Sequence, residues 1–266
     1  MHVVPLSPLD LGLAELLVSL LALLSLRMLL DLAGQIVIAA VRTTVQLLLV
    51  GLVLKSVFAH VNPLWIGLMA LVMLLAAGRE VMGRQKRRFA GWWGFGVGTL
   101  SMFVSSFSIT LLALTAIIDI QPWYAPRYAV PLLGMVLGNT MTGMAVALDR
   151  LTQAAWSQRT AIEGRLILGE EAAAAIAPIR RDSIRSGLIP IINAMSAAGI
   201  VSLPGMMTGQ ILGGSPPLEA VKYQILVMFL IAAGTGLGTI TAVWLGGRRL
   251  FDERHRLRLD RLKSVS

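Results

Sequence analysis

Residues 94–118 read GFGVGTLSMFVSSFSITLLALTAII, from Gly94 to Ile118 without one charged side chain. A helical crossing of a bilayer needs roughly 20 mostly apolar residues, with about 17–25 tolerated. This stretch therefore reads as a transmembrane helix. Six other runs share its character: Leu9–Leu30, Ile36–Leu54, Val61–Gly78, Ala129–Leu148, Gly187–Leu212 and Tyr223–Gly246. They are continuously apolar rather than alternating, which favours helices over barrel strands. The expectation is an all-α integral membrane protein of about seven transmembrane helices, one domain over residues 1–266. The third run is marginal in length.

Composition agrees. The chain is 56% hydrophobic and 14% charged, with a mean hydropathy of +0.77. A soluble domain averages about 25% charged and 45–50% apolar residues. Cysteine is absent, which removes disulfides, thiolate metal sites and Cys nucleophiles. His2, His60 and His255 all fall outside the apolar runs, so a histidine metal cage within the membrane is not expected. The segment Met1-His2-Val3-Val4-Pro5 lacks the basic region of a cleavable signal peptide.

The net charge of +9 is not spread as a nucleic-acid-binding face would need. It collects between the runs. One side holds Arg27, then Arg79, Arg84, Lys86, Arg87 and Arg88, then Arg150, Arg159, Arg165, Arg180, Arg181 and Arg185. The same side holds Arg248, Arg249, Arg254, Arg256, Arg258, Arg261 and Lys263. Opposite lie only Lys55, Arg127 and Lys222, and Arg42 sits inside a run. Cytoplasmic loops carry the Lys/Arg excess, so the N-terminus is expected outside and the C-terminus in the cytoplasm. Without the third span this separation would collapse. Trp65, Trp92, Trp93, Trp123, Tyr124, Tyr128 and Tyr223 stand near run ends, where amphipathic rings anchor.

Most connections are short. The exception, Asp149 to Ser186, contains Glu170-Glu171 followed by four alanines, a composition that favours helix. One or two cytoplasmic helices are expected there, between spans five and six. The basic tail, residues 247–266, reads as a helix on the anionic inner leaflet or as a stop-transfer signal alone. Glycines four apart (Gly94 and Gly98, Gly134 and Gly138, Gly234 and Gly238, and Gly205, Gly209 and Gly213) allow close helix packing, within the chain or between subunits.

Polar residues inside spans mark functional candidates. Arg42, Thr43 and Gln46 share one face of span two. Span four carries Ser101, Ser105, Ser106, Ser108 and Thr110; span five carries Asn139, Thr140 and Thr142; span six carries Asn193, Ser196, Ser202, Thr208 and Gln210. Such groups either join helices at about 0.6 kcal/mol per bond or line a hydrophilic path. Pro190, Pro204 and the glycines make span six the one to be bent or broken. Of the 13 methionines, Met206 and Met207 near Gln210 are candidates for a soft metal ion, against ordinary packing. No Gly-x-x-x-x-Gly-Lys-Ser/Thr loop and no catalytic constellation is present, so the chain reads as neither an ATPase nor an enzyme.

Two sets of residues carry a resemblance. Glu171-Ala172-Ala173, followed at matching spacing by Ala177, Gly187, Ile189 and Pro190, is similar to the loop motif of ABC importer permeases. Here Ala177 replaces its Gly, Gly187 its Ile and Ile189 its Leu. More specific are Val41-Arg42-Thr43-Thr44-Val45-Gln46-Leu47, Ala77-Gly78-Arg79-Glu80 and Pro131–Asn139. Ile179–Arg185 and Pro204–Gly214 complete the set. Together they resemble the Fet-type iron-export ABC permeases, which are related to plant aluminium-tolerance permeases.

The resemblance runs from about Leu9 to Gly246. It implies a permease homodimer in the bacterial inner membrane with two copies of a separate cytoplasmic ABC ATPase, which binds the ATP and Mg. Residues 149–186 would then hold the coupling helix, with Glu170, Glu171, Arg180, Arg181, Asp182 and Arg185 at the ATPase. Arg42, Gln46, Asn139, Thr142, Asn193 and Gln210 are the expected transport path, and iron or another metal the cargo. The alternative is a stand-alone secondary transporter or channel, which would want ionisable residues near mid-membrane in several spans; Arg42 alone fits. A retinal-type receptor would want a mid-span lysine in the last helix, and Lys222 lies at its end. A membrane scaffold would need no polar path.

Overall fold

The computed structural model describes residues 7–59 and 62–264. His2, His60, the Met1–Pro5 segment, Val61 and the last two residues of the tail lie outside the described residues. The chain forms two compact units, Met1–Asn62 with Leu212–Gly214, and Pro63–Ile211 with Ser215–Ser266.

The first unit is a helical pair, α1 (Pro8–Arg27) and α2 (Ala33–Ala59), packed on one another. Ser7 caps α1: its hydroxyl accepts the Asp10 N–H at 3.3 Å, and the Asp10 carboxylate accepts the Ser7 N–H at 2.8 Å. This reciprocal box satisfies two N–H groups that the helix leaves unpaired. Leu29 and Asp31, both at positive φ, turn the chain between the helices. Both helices are predominantly apolar, and α2 carries Arg42, Thr43 and Gln46 among its apolar residues.

The second unit contains α3 (Pro63–Gly83), β1 (Arg87–Phe89), α4 (Trp92–Met102), α5 (Ser108–Leu112), α6 (Pro126–Ser157), α7 (Arg159–Ile167), α8 (Ala172–Ala175), α9 (Ala177–Ala197), α10 (Gly205–Leu212), α11 (Pro217–Arg249) and β2 (Leu262–Ser264). Two π-helical turns, Phe103–Phe107 and Ala113–Ile117, bracket α5 and make residues 92–117 one widened span. Six helices are long and apolar enough to cross a membrane: Leu9–Arg27, Ala33–Lys55, Pro63–Gly83, Trp92–Ile117, Pro126–Ser157 and Pro217–Arg249. They match six of the seven apolar runs.

The run Gly187–Leu212 differs. It is not one helix but the end of α9 and all of α10, separated by residues 198–204. The break has local causes. Gly199 takes φ +82, its N–H bonds to the Ser202 carbonyl at 2.9 Å, and Pro204 supplies no N–H just before α10. The tail also departs from expectation. It is not a helix: Phe251 bridges to Leu257, and β2 pairs antiparallel with β1, aligning Arg87 with Ser264 and Phe89 with Leu262. The Asp252 carboxylate accepts the backbone N–H groups of Arg254 and Arg256, which holds the chain in a turn where a helix would continue. The helices expected between spans five and six are present as α7, α8 and α9.

With 32 residues α6 is about 48 Å long, well beyond a hydrocarbon core of about 30 Å. It is longer than one crossing needs, and α7 and α8 follow its last turns. One apolar core joins α3, α4, α6, α7, α9, α11 and the tail, centred on Val81, Met144, Leu148, Leu151, Ile162, Ile176, Val243 and Leu250. A second, toward the other end, gathers Leu114, Leu132, Val136, Ile191, Val227 and Ile231.

Three helices meet almost backbone to backbone. A Cβ on Gly187 of α9 would lie 2.6 Å from the Gly143 carbonyl oxygen of α6 and 2.9 Å from Thr239 Cγ2 of α11. Such close approach is what small residues allow in lipid. Gly187→Ala is therefore expected to destabilise the chain by about 1–3 kcal/mol. Gly236→Ala, with nothing within 4 Å, is expected to leave thermal unfolding in detergent unchanged or slightly raised. Equal melting curves for the two variants would contradict the contact.

Candidate functional site

The polar groups that converge inside the second unit are hydroxyls. The α4–α5 span contributes Ser101, Ser105, Ser106 and Thr110; α6 contributes Thr140; α11 contributes Thr235 and Thr239. Each is at most 5% exposed. The glycines fix where they meet. A Cβ on Gly238 would lie 2.6 Å from Thr140 Cγ2 and 2.8 Å from Ser105 Oγ; one on Gly143 would lie 3.3 Å from Thr239 Oγ1. Ser105, Thr140 and Thr239 thus surround one glycine-lined crossing of α6 and α11.

Hydroxyls in helices ordinarily donate to a carbonyl four residues back. Ser105 does so to Ser101 at 2.8 Å, and Ser183 to Ile179 at 2.7 Å. Ser101, Ser106, Thr110, Thr140, Thr235 and Thr239 make no hydrogen bond to the protein. A buried polar group left so is costly, and the π-turn at Phe103–Phe107 lies at the same place. π-turns within helices are frequent at functional sites.

A cleft of about 490 Å³ opens beside this seam, lined by Arg84, Thr142, Ala145, Asp149, Arg150, Gln153 and Ser186. Asp149 is the organising group: its carboxylate accepts the Lys86 N–H at 2.8 Å and the Gln153 side-chain amide. The basic segments lie together here. Arg87 stacks 4.0 Å from the centre of the Trp156 ring, and the Thr152 hydroxyl donates to the Arg87 carbonyl at 2.8 Å.

The residues expected to form the path are mostly exposed. Arg42 and Gln46 are exposed on α2 of the first unit. Asn139 is exposed, its amide donating to its own helix at Met135 O, 2.8 Å away. Thr142 donates to Gly138 O at 3.1 Å and lines the cleft. Asn193 is exposed on α9. The Gln210 carbonyl oxygen is enclosed without a protein partner. Met207 is buried, and Met206 packs against the second apolar core. Among the described residues no group of three or more His, Cys, Asp or Glu could hold a metal.

The expected coupling residues surround α8. Glu171 precedes it, and Glu170 pairs with Arg165 at 3.9 Å. Arg181, Asp182 and Arg185 are exposed on α9. Arg180 is different: its guanidinium donates to Ala173 O at 2.9 Å, and its stem lies 3.0 Å from where a Gly247 Cβ would be. It positions α8 and α9 against α11. At the turn after α7, Ile167 and Leu168 are 85% and 84% exposed, followed by Gly169 at φ +90. The sequence reading missed this apolar tip; its only signal is two large aliphatics just before Gly169-Glu170-Glu171.

Residues 8–251 match the model of the uncharacterised protein family UPF0014. The chain belongs to this family. It is 41% identical to UPF0014 membrane protein slr1647 of Synechocystis, over 86% of this chain and 87% of that protein. It is 34% identical to the "Probable iron export permease protein FetB" of Escherichia coli, over 96% of both chains. It is 32% identical to Protein ALUMINUM SENSITIVE 3 of Arabidopsis thaliana, over 92% and 88%. No solved structure matches. UPF0014 is thus a family of multi-pass membrane permeases, and the resemblance drawn from the residue blocks above holds.

Because six seam hydroxyls lack protein partners, Thr140→Val and Thr239→Val are expected to hold or raise the melting temperature in detergent. A drop of several degrees in either would show that the hydroxyl is bonded.

Proposed function

We propose that this UPF0014 chain is the membrane subunit of an ATP-driven ABC transporter that exports a metal ion, with iron as its cargo. The observation that carries the reading is its alignment with the iron-export permease FetB over 96% of both chains. The end of α6 with α7, α8 and α9 supports it, because a permease driven by a separate ATPase needs a solvent-side helical docking surface. ATP and Mg belong to that ATPase, present in two copies beside a permease homodimer in the bacterial inner membrane.

The docking surface presents Ile167 and Leu168 as an apolar anchor. Glu170, Glu171, Arg181, Asp182 and Arg185 form the polar rim, an arrangement typical of protein interfaces. ATP binding would close the ATPases, move α7–α9, and shift α9 against α6 at Gly143 and Gly187. Substrate would enter through the Asp149 cleft, which Thr142 lines, and pass the hydroxyl seam.

Seven crossings fit this arrangement. The ends of α6 and α11 lie at the same basic end of the second unit, joined through one apolar core. The chain between them must therefore traverse the unit, and α9 with α10 would do so as a broken span. Interrupted helices commonly flank transport sites. With the basic end in the cytoplasm, an odd count places the N-terminus outside.

An ABC ATPase is expected to co-purify with the chain in mild detergent. The pair Ile167→Asp and Leu168→Asp should release it while the melting temperature stays unchanged. The pair Glu171→Gln and Arg181→Gln should lower metal efflux from vesicles without loss of folded protein. Efflux from liposomes containing this chain alone, driven by an ion gradient, would refute the reading.

A further inference from the structure

Beyond α11 the tail folds back on itself and encloses a second cleft, of about 520 Å³, lined by Arg249, Phe251, Asp252, Glu253, Arg254, Arg256 and Arg261. Four guanidinium groups face two carboxylates here. Asp252 is already engaged: it accepts the N–H groups of Arg254 and Arg256 and the Arg256 side chain at 2.8 Å. Arg258 is turned to Asp260 in a two-bond pair at 2.8 Å, with a terminal nitrogen 4.0 Å from the Asp252 carboxylate. The cleft therefore holds a surplus of cation.

Arg249 forms its floor. Its guanidinium lies 4.5 Å from the centre of the Trp93 ring, and its Nε is buried with no hydrogen-bond partner in the protein. Arg261 forms a wall. One of its terminal nitrogens donates to the carbonyls of Arg249 and Phe251 at 2.8 and 3.0 Å, which covers the electronegative end of α11. An anion in the cleft is thus shielded from the helix carbonyls and meets planar donors. Guanidinium forks suit the oxygens of phosphate better than those of any point-charge partner.

The level of the cleft points to the source. Trp92 and Trp93 are exposed at the first turn of α4, and Arg248 stacks 3.8 Å over Trp244. Exposed indoles of membrane helices sit at headgroup depth. We propose that this cleft binds the phosphodiester of an anionic phospholipid, with Arg249 as the principal donor and Arg254, Arg256 and Arg261 around it. The site is independent of transport: it needs only the folded tail and the membrane surface beside it.

The test is native mass spectrometry of the full chain with phosphatidylglycerol or phosphatidylcholine, with and without inorganic phosphate. Phosphatidylglycerol is expected to be retained over phosphatidylcholine. Arg249→Gln should weaken that retention about tenfold, the order of one charge-assisted bond. Arg249→Lys, which keeps the charge but not the fork, should weaken it less than Gln and leave the melting temperature unchanged. Arg159→Gln, an exposed cation outside the cleft, should have no effect. Displacement by millimolar inorganic phosphate would uphold the phosphate site and assign it to free phosphate instead of lipid. Equal retention of the two lipids with no phosphate effect, or no change in Arg249→Gln, would overturn the proposal.

Discussion

The backbone contact of α6 with α9 at Gly143 and Gly187 is the constraint from which the second unit takes its form. Lipid tails are as apolar as leucine, so helices gain little by hiding apolar side chains from them. Association rests instead on close packing. Two glycines without side chains bring the two helices within van der Waals range, and Thr239 of α11 closes the third side. Thr235 and Thr239 of α11 lie against Gly143, and both are buried. The seam, the cleft beside Asp149 and the placement of α7 and α8 all follow from where this contact holds α9.

At the basic end the arginines are organised differently. Few of them rely on carboxylates. Arg87, Arg248 and Arg249 stack on Trp156, Trp244 and Trp93, while Arg180 and Arg261 cap carbonyls. Where acids do take part, they are well held. The Arg258 fork keeps the Asp260 carboxyl down to about 2, and the bonds from Arg256 and Arg254 lower that of Asp252. Each of these folded values is depressed. Their contribution is present above the usual carboxylate range and is lost as pH falls through the folded value.

Much of this was legible before the structure. Lipid demands long apolar helices, so six of the runs stood out from composition alone, and spacing marked Gly234 and Gly238 of α11; Gly143 and Gly187 belong to no such pair and were not singled out for packing. The break in residues 187–212 was signalled by Pro190 and Pro204, although Gly199 made the turn. The tail was misread because its arginines suggested an amphipathic helix. Instead the Asp252 carboxylate turns the chain back through the Arg254 and Arg256 N–H groups, and residues 262–264 pair with β1. Burial was harder to read. Asn139 and Asn193, conspicuous as amides, are exposed, while the less conspicuous serines and threonines of the seam are buried. Which side of a helix is inward depends on its neighbours, and hydropathy does not carry that. The exposed Ile167 and Leu168 were hidden for the same reason.

The pairing of β1 with β2 has a consequence for how the molecule is made. It joins the α3–α4 turn to the segment beyond α11, two parts of the chain far apart in sequence. Phe89 gains Leu262 as a neighbour only once the helices between them are in place, so the basic end closes late in folding. A chain that has yet to place α11 presents an unsealed surface there, the kind that quality-control factors recognise.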